Sequence, residues 1–100
     1  MSKTIYFTIT GMNYYHGQRF LEPGMKVKLK KEPDNPYDKE AIAVSMKGLG
    51  IIGHVANSTS TVRGESYSAG RLYSLFKKKA SGKVIHVLDY GVICEFKGKK

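Results

Sequence analysis

From Met25 to Lys31 the chain alternates without a break. Met25, Val27 and Leu29 fall on one side; Lys26, Lys28 and Lys30 fall on the other. A period of two suits a strand with one buried and one wet face, and it suits no helix. The rhythm recurs. Over residues 4–10, Ile5, Phe7 and Ile9 alternate with Tyr6, Thr8 and Thr10, and Gly11 closes the run. Ile42, Val44 and Met46 mark a third strand over 41–46. Lys47-Gly48-Leu49-Gly50 reads as a tight connection into a fourth, Ile51 to Val55. Residues 84–89 and 92–97 form a closing hairpin across Tyr90-Gly91, apolar on both faces in places. Glu22-Pro23-Gly24 supplies the turn before the lysine-bearing strand.

One helix is predicted over about 67–79. Ala69, Leu72, Tyr73 and Phe76 follow the i, i+3, i+4, i+7 spacing of a buried stripe. Ser66 or Ser68 caps its start, and Lys77, Lys78 and Lys79 suit the dipole at its end. Gly82 ends the segment. The Ser/Thr-rich stretch from Ala56 to Gly64 is a short helical turn or a loop. Lys97 to Lys100 reads as a frayed basic end. Five to six short strands with one main helix give a mainly β chain: a small OB-like or SH3-like antiparallel barrel, whose closure hides the sheet edges. A chain of 100 residues makes one domain, 1–100.

Charge narrows the partners. Lys and Arg number 17 against 8 Asp and Glu, a net charge of +9. Such an excess favours a polyanion, with nucleic acid first and an anionic membrane surface second. The plainer reading is a solvated surface. Cys94 is the only cysteine. It excludes an intrachain disulfide and a cysteine-based zinc site, and no cofactor is expected. A reducing cytoplasm is the simplest compartment. The first residues are too short and polar for a signal peptide, and no apolar run reaches membrane-spanning length.

No catalytic signature stands out. There is no phosphate-binding glycine loop with Lys and Ser/Thr, no His-Glu-x-x-His and no nucleophile elbow. Asp34 and Asp38 lie four apart, but on a proline-bearing loop that spacing fixes no distance, and Asp side chains there ordinarily cap the loop. No enzymatic activity is expected of the chain itself.

The run Glu32-Pro33-Asp34-Asn35-Pro36-Tyr37-Asp38-Lys39-Glu40-Ala41-Ile42 is costlier than a plain connection. It holds a ring and a carboxylate on a backbone stiffened by proline. Tyr14 and Tyr15 leave the first strand pointing different ways, so at least one is exposed. Rings beside lysines are what a single-stranded nucleic acid needs: rings stack on bases and cations hold phosphates. Equally, the rings could plug the barrel ends with only their hydroxyls outside. Spacing alone leaves both readings open. The Lys26, Lys28, Lys30 stripe reads first as a soluble strand face that deters edge pairing and second as a phosphate track. The Lys77 to Lys79 cluster has the same two readings. His54 follows Gly53, whose missing Cβ lets a backbone or ligand come close.

Three blocks between Phe7 and Val55 resemble the HIRAN domain family. They are Ile9-Thr10-Gly11-Met12-Asn13-Tyr14-Tyr15-His16-Gly17, the run from Leu29 to Val44, and Ile51-Ile52-Gly53-His54-Val55. The core is Asn-Pro-Tyr-Asp-x-x-Ala-Ile, with Gly-x-x-Tyr-Tyr-x-Gly upstream and Gly-His downstream. The resemblance implies an OB-like barrel that binds single-stranded DNA and recognises a free 3′-hydroxyl end, in the service of DNA repair at stalled replication forks. It implies that Tyr14, Tyr15 and Tyr37 contact bases and sugar, and that Asp38 accepts a hydrogen bond from the 3′ hydroxyl. Asn13, Asn35, His54 and Lys39 complete the implied site. Eukaryotic members are often fused to Snf-type translocases and RING ubiquitin ligases. Here the chain resembles stand-alone bacterial members, with Ser58 to Ser68 as their insertion, so a helicase or repair protein is the implied partner.

Two positions depart from the family pattern. Asn13 stands where some members carry a basic residue, and Ala56, Asn57 and Ser58 stand where some carry a lysine. Fewer phosphate-facing cations weaken electrostatic binding. Lys30, Lys31, Lys39, Arg63 and Arg71 are the candidates to compensate. A reading from another class keeps the barrel but gives the Pro-Tyr loop a peptide or partner protein to hold. A phosphodiester hydrolase using Asp38 is the remotest reading.

Overall fold

A computed structural model of the protein describes residues 4–58, 66–89 and 91–99. Arg63, most of the Ser/Thr-rich stretch and Tyr90 of the expected hairpin turn lie outside the described residues. Six strands form: β1 (Tyr6–Thr10), β2 (Lys26–Lys31), β3 (Ile42–Met46), β4 (Gly50–Val55), β5 (Lys79–Leu88) and β6 (Gly91–Lys99). They close as a barrel in the order β1-β4-β3-β2-β5-β6, every pairing antiparallel. The expected mainly β barrel of five to six strands with a helix is the observed fold.

The alternation read in the sequence is the inside-outside alternation of this barrel. Phe7, Ile9, Val27, Leu29, Ile42, Val44, Ile52, Val84 and Val92 fill the interior and are fully or almost fully buried. Each such side chain contributes about 1.5–3 kcal/mol by leaving water. Lys26, Lys28 and Lys30 point outward. Thr8 breaks the pattern, being buried although its strand neighbours predict an outward position. Residues 66–69 cover it. Its hydroxyl lies 2.7 Å from that of Ser66, and the Tyr67 N–H donates to the Tyr6 carbonyl. Gly82 is required inside β5, since a Cβ there would stand 2.8 Å from Cζ of Phe7.

The helix departs furthest from expectation. It spans only Ala69–Tyr73, capped by the Ser68 hydroxyl accepting from the Arg71 N–H. Ala69 and Leu72 are buried as the stripe requires, and Phe76 is buried too, but from the turn beyond the helix, with its ring 6.0 Å from that of Phe96. Lys79 and Gly82, read as helix end and terminator, belong to β5, which begins five residues before the expected hairpin strand. The reason is pairing. Lys26 to Lys30 stand opposite Lys83 to Lys79, and the Lys31 N–H donates to the Lys78 carbonyl. A helix running to residue 79 would take Lys79 and Lys78 away from Lys30 and Lys31, leaving backbone groups at that end of β2 without partners, a heavier cost than lost helix propensity. Lys97 to Lys99 are likewise no frayed tail: they lie in β6, and Lys99 pairs with Ala80, while Lys100 lies outside the described residues.

Cys94 is buried in β6, and burial pushes its thiol up to about 12. Among the described residues, no helix is long and apolar enough to cross a membrane.

Candidate nucleic-acid interface

The first motif folds as a tight turn after β1. Gly11 has φ +73°, a left-handed value that favours glycine. A 3-10 turn follows over Met12–Tyr14. The Met12 carbonyl accepts from the N–H groups of both Tyr15 and Gly17, while its side chain is buried. Winding around an anchored Met12 leaves Asn13, Tyr14 and Tyr15 facing outward. Tyr14 is 88% exposed and Tyr15 44%. Gly53 makes this packing possible, because a Cβ there would meet Ile9 and the Thr10 carbonyl at 2.8 Å and Met12 at 3.0 Å. The close approach read at Gly53 is therefore to the protein's own turn.

The Pro-Tyr loop is held by its own side chains. Asn35 Oδ1 accepts from the backbone N–H of Tyr37 at 2.8 Å and of Asp38 at 3.1 Å. This side-chain bridge mimics a backbone turn. Asn35 Nδ2 donates to Glu32 Oε1 at 3.3 Å. Across the loop mouth the Glu32 N–H donates to the Ala41 carbonyl at 2.8 Å. Tyr37 rides on this frame 95% exposed. Neither Tyr14 nor Tyr37 plugs the barrel.

Asp38 is braced on both oxygens. Oδ1 accepts from the Glu40 N–H and Oδ2 from Asn57 Nδ2, each at 2.9 Å. Asn57 Oδ1 in turn accepts from the Gly70 N–H at the start of the helix, at 2.8 Å. Loop capping by Asp38, expected on general grounds, is present. A carboxylate has about four lone-pair sites, so acceptor capacity remains.

His54 links the two motifs. Its Nε2–H donates to Glu32 Oε1 at 2.8 Å, with both side chains 29% exposed. Its ring lies 6.0 Å from that of Tyr15, tilted by 40°. One run of contacts thus joins Tyr15, His54, Glu32, Asn35, Asp38 and Asn57. Tyr14 and Tyr37 project beside it. Asn13 and Lys39 are exposed and hold no part of the run. Asn13 and Tyr14 border a separate depression of about 290 Å³ that includes Asp89. An open groove of about 630 Å³ lies between the Pro33–Pro36 loop and the sheet, floored by Lys30, Ala43, Ser45 and Ile51.

Two residues escaped the sequence reading. Glu32 is the hub for His54 and Asn35, and Asn57, noted only as a missing cation, ties Asp38 to the helix. Their partners lie 22 and 19 residues away, at separations no local spacing rule encodes. Of the compensating cations, Lys31 stands 4.1 Å from the Tyr73 ring centroid and Arg71 stands 3.8 Å from that of Tyr67, so both are drawn onto aromatic faces. Lys30 remains on the open sheet face.

A small closed barrel with an aromatic, hydrogen-bonded corner is the general form of an oligonucleotide-binding module. Comparison makes the class specific. The family model for the HIRAN domain matches residues 2–85, and the chain belongs to that family. HIRAN domains are known in general as DNA-binding modules and are not themselves catalytic. The crystal structure of the HIRAN domain of human HLTF shares the fold, with a TM-score of 0.62 and 24% identity over 97% of this chain and 77% of that one. No relative was found among curated proteins.

Proposed function

We propose that this chain binds single-stranded DNA at the corner formed by the Gly11–Gly17 turn, the Pro-Tyr loop and His54, and that it prefers a free 3′-hydroxyl end. The observation that carries this reading is the exposure of Tyr14, Tyr15 and Tyr37 beside a frame whose polar groups already bond one another. Exposed rings on a fixed frame stack on bases at low entropic cost. Family membership and the net charge of +9 support it.

In this reading Tyr14, Tyr15 and Tyr37 contact bases and sugar. Asn35, His54 and Glu32 hold the corner's shape, Asn13 lies on the turn beside Tyr14, and Lys39 is an exposed counter-charge on the Pro-Tyr loop. Asp38 accepts a hydrogen bond from the terminal hydroxyl through a spare lone pair. A terminal phosphate is repelled by the same carboxylate. Any strand-processing chemistry belongs to a partner, of which a helicase or repair enzyme is the natural kind.

Fluorescence anisotropy with matched oligonucleotides ending in 3′-hydroxyl or 3′-phosphate tests the proposal. Tighter binding of the hydroxyl end is the expected result. Equal binding of both ends removes end recognition. Absence of salt-sensitive binding removes the nucleic-acid reading and leaves the Pro-Tyr loop as a protein-docking element.

A further inference from the structure

The lysine stripe takes a different meaning once the barrel is closed. Lysines on an edge strand guard against unwanted pairing. β2 is no edge: β3 pairs with one side of it and β5 with the other. Its lysines therefore guard nothing. The register also sets Lys26 opposite Lys83 and Lys30 opposite Lys79. Like charges directly opposite on neighbouring strands destabilise a sheet. Among the described residues, the only carboxylate on this face paired with a lysine is Glu95, opposite Lys83 and 3.7 Å from Lys97. Among the described residues no carboxylate is a strand partner of Lys28, Lys30 or Lys79; Glu32 and Asp34 stand only at the loop side of the groove that Lys30 borders.

The face is also continuous with the corner. His54, Ala43, Lys30 and Lys79 are successive register partners across β4, β3, β2 and β5, so they form one row on the outer surface. The groove beneath the Pro-Tyr loop shares Lys30 and Ser45 with a depression of about 320 Å³ between Lys30 and Lys79. That depression shares Lys28 with a third, of about 260 Å³, reaching Lys26, Lys83 and Lys97. Along the strand, alternate residues stand about 6.8 Å apart. That interval is close to the separation of successive phosphates in an extended single strand.

We propose that the outer face of β2 and β5 is a track for the sugar-phosphate backbone of a single strand, running from the groove beneath the Pro-Tyr loop to the Lys26–Lys83 end. The track rests on charge and continuity; it depends on the corner reading only for where the strand begins. The face reads no sequence. It lends affinity in proportion to strand length, and that affinity falls with salt.

The test compares a trinucleotide with an oligothymidylate of about 20 nucleotides, on wild type and on the double variant Lys28→Glu, Lys30→Glu. Glu at position 30 faces Lys79, so the fold is retained, which thermal unfolding checks. The variant is expected to bind the long strand at least about tenfold more weakly, with a log K versus log salt slope shallower by about 1.4, two phosphate contacts' worth. Trinucleotide binding is expected to change little. Unaltered long-strand affinity and slope overturn the track. So does a loss confined to phosphatidylserine vesicles, which assigns the face to a membrane surface. Tyr37→Ala separates the two proposals. If it leaves both lengths unaffected while the lysine variant weakens the long strand, the corner reading fails and the track stands.

Discussion

The Pro-Tyr corner and the lysine face of β2 present surfaces by opposite means. At the corner the polar side chains are engaged within the protein. Asn35 holds two backbone N–H groups, Asp38 is braced by Glu40 and Asn57, and Glu32 takes His54. On the lysine face charge is concentrated and largely unopposed, even across the ladder. The difference teaches how a small domain divides its labour. A frame fixed in advance recognises a shape, because little order remains to be imposed on binding. A field of cations recognises only charge, at a range that salt shortens.

The strongest way to break this contrast is to unseat the corner from beneath. Gly53→Ala puts a methyl within 3.0 Å of Ile9, the Thr10 carbonyl and Met12. Overpacking of this kind costs about 1–3 kcal/mol, and the melting temperature should fall by about 5–20 °C. Trinucleotide binding should fall with it, while the salt slope of a long strand persists. A variant as stable as wild type would mean that the turn does not rest on β4.

Tyr37→Ala removes a ring that supports nothing. Its expected effect on unfolding is within about 0.5 kcal/mol. DNA binding should weaken by about 1–3 kcal/mol, a loss of one stacked base. Equal oligonucleotide affinity in titration would remove Tyr37 from the site. Asn57→Ala acts on the bracing instead. It strips the Asp38 carboxylate and the Gly70 N–H of a partner, and chemical denaturation should show a loss of about 1 kcal/mol. Part of the end preference should go with it, and an unchanged ratio between hydroxyl and phosphate ends would free Asp38 from its brace.

The smallest effect at neutral pH belongs to the core beneath both regions. In the fold the Cys94 thiol stays protonated up to about 12, whereas the unfolded thiol ionises above about 9. Ionisation therefore favours the unfolded chain, and this thiol's contribution to stability should be constant well below pH 9 and decline from there towards 12. Thiol labelling of the native protein at pH 8 should be slow; rapid labelling would show that the barrel wall opens there.

Much of the barrel was legible because a period of two is a direct image of an inside and an outside. Met25 to Lys31 states that division plainly. The helix was overread because the spacing of Ala69, Leu72, Tyr73 and Phe76 marks burial, and a turn buries Phe76 as well as a helix does. The competing demand came from β2, whose free side called Lys79 to Lys83 into a strand. Tyr14, Tyr37 and Asp38 were visible as motif residues. The Glu32–His54 and Asp38–Asn57 contacts were not, since they exist only once β2, β4 and the loop are brought together. The lysines were visible, but their meaning turned on whether β2 was an edge.

The central claim is that the corner is where a strand end is held. Backbone amide shifts followed by NMR during titration with a trinucleotide carrying a free 3′ hydroxyl test it most directly. The account predicts the largest changes at Tyr14, Tyr15, Asn35, Tyr37, Asp38 and His54, with Lys26 and Lys83 unmoved until a longer strand is used. Changes confined to β2 and β5, with the corner silent, would contradict it.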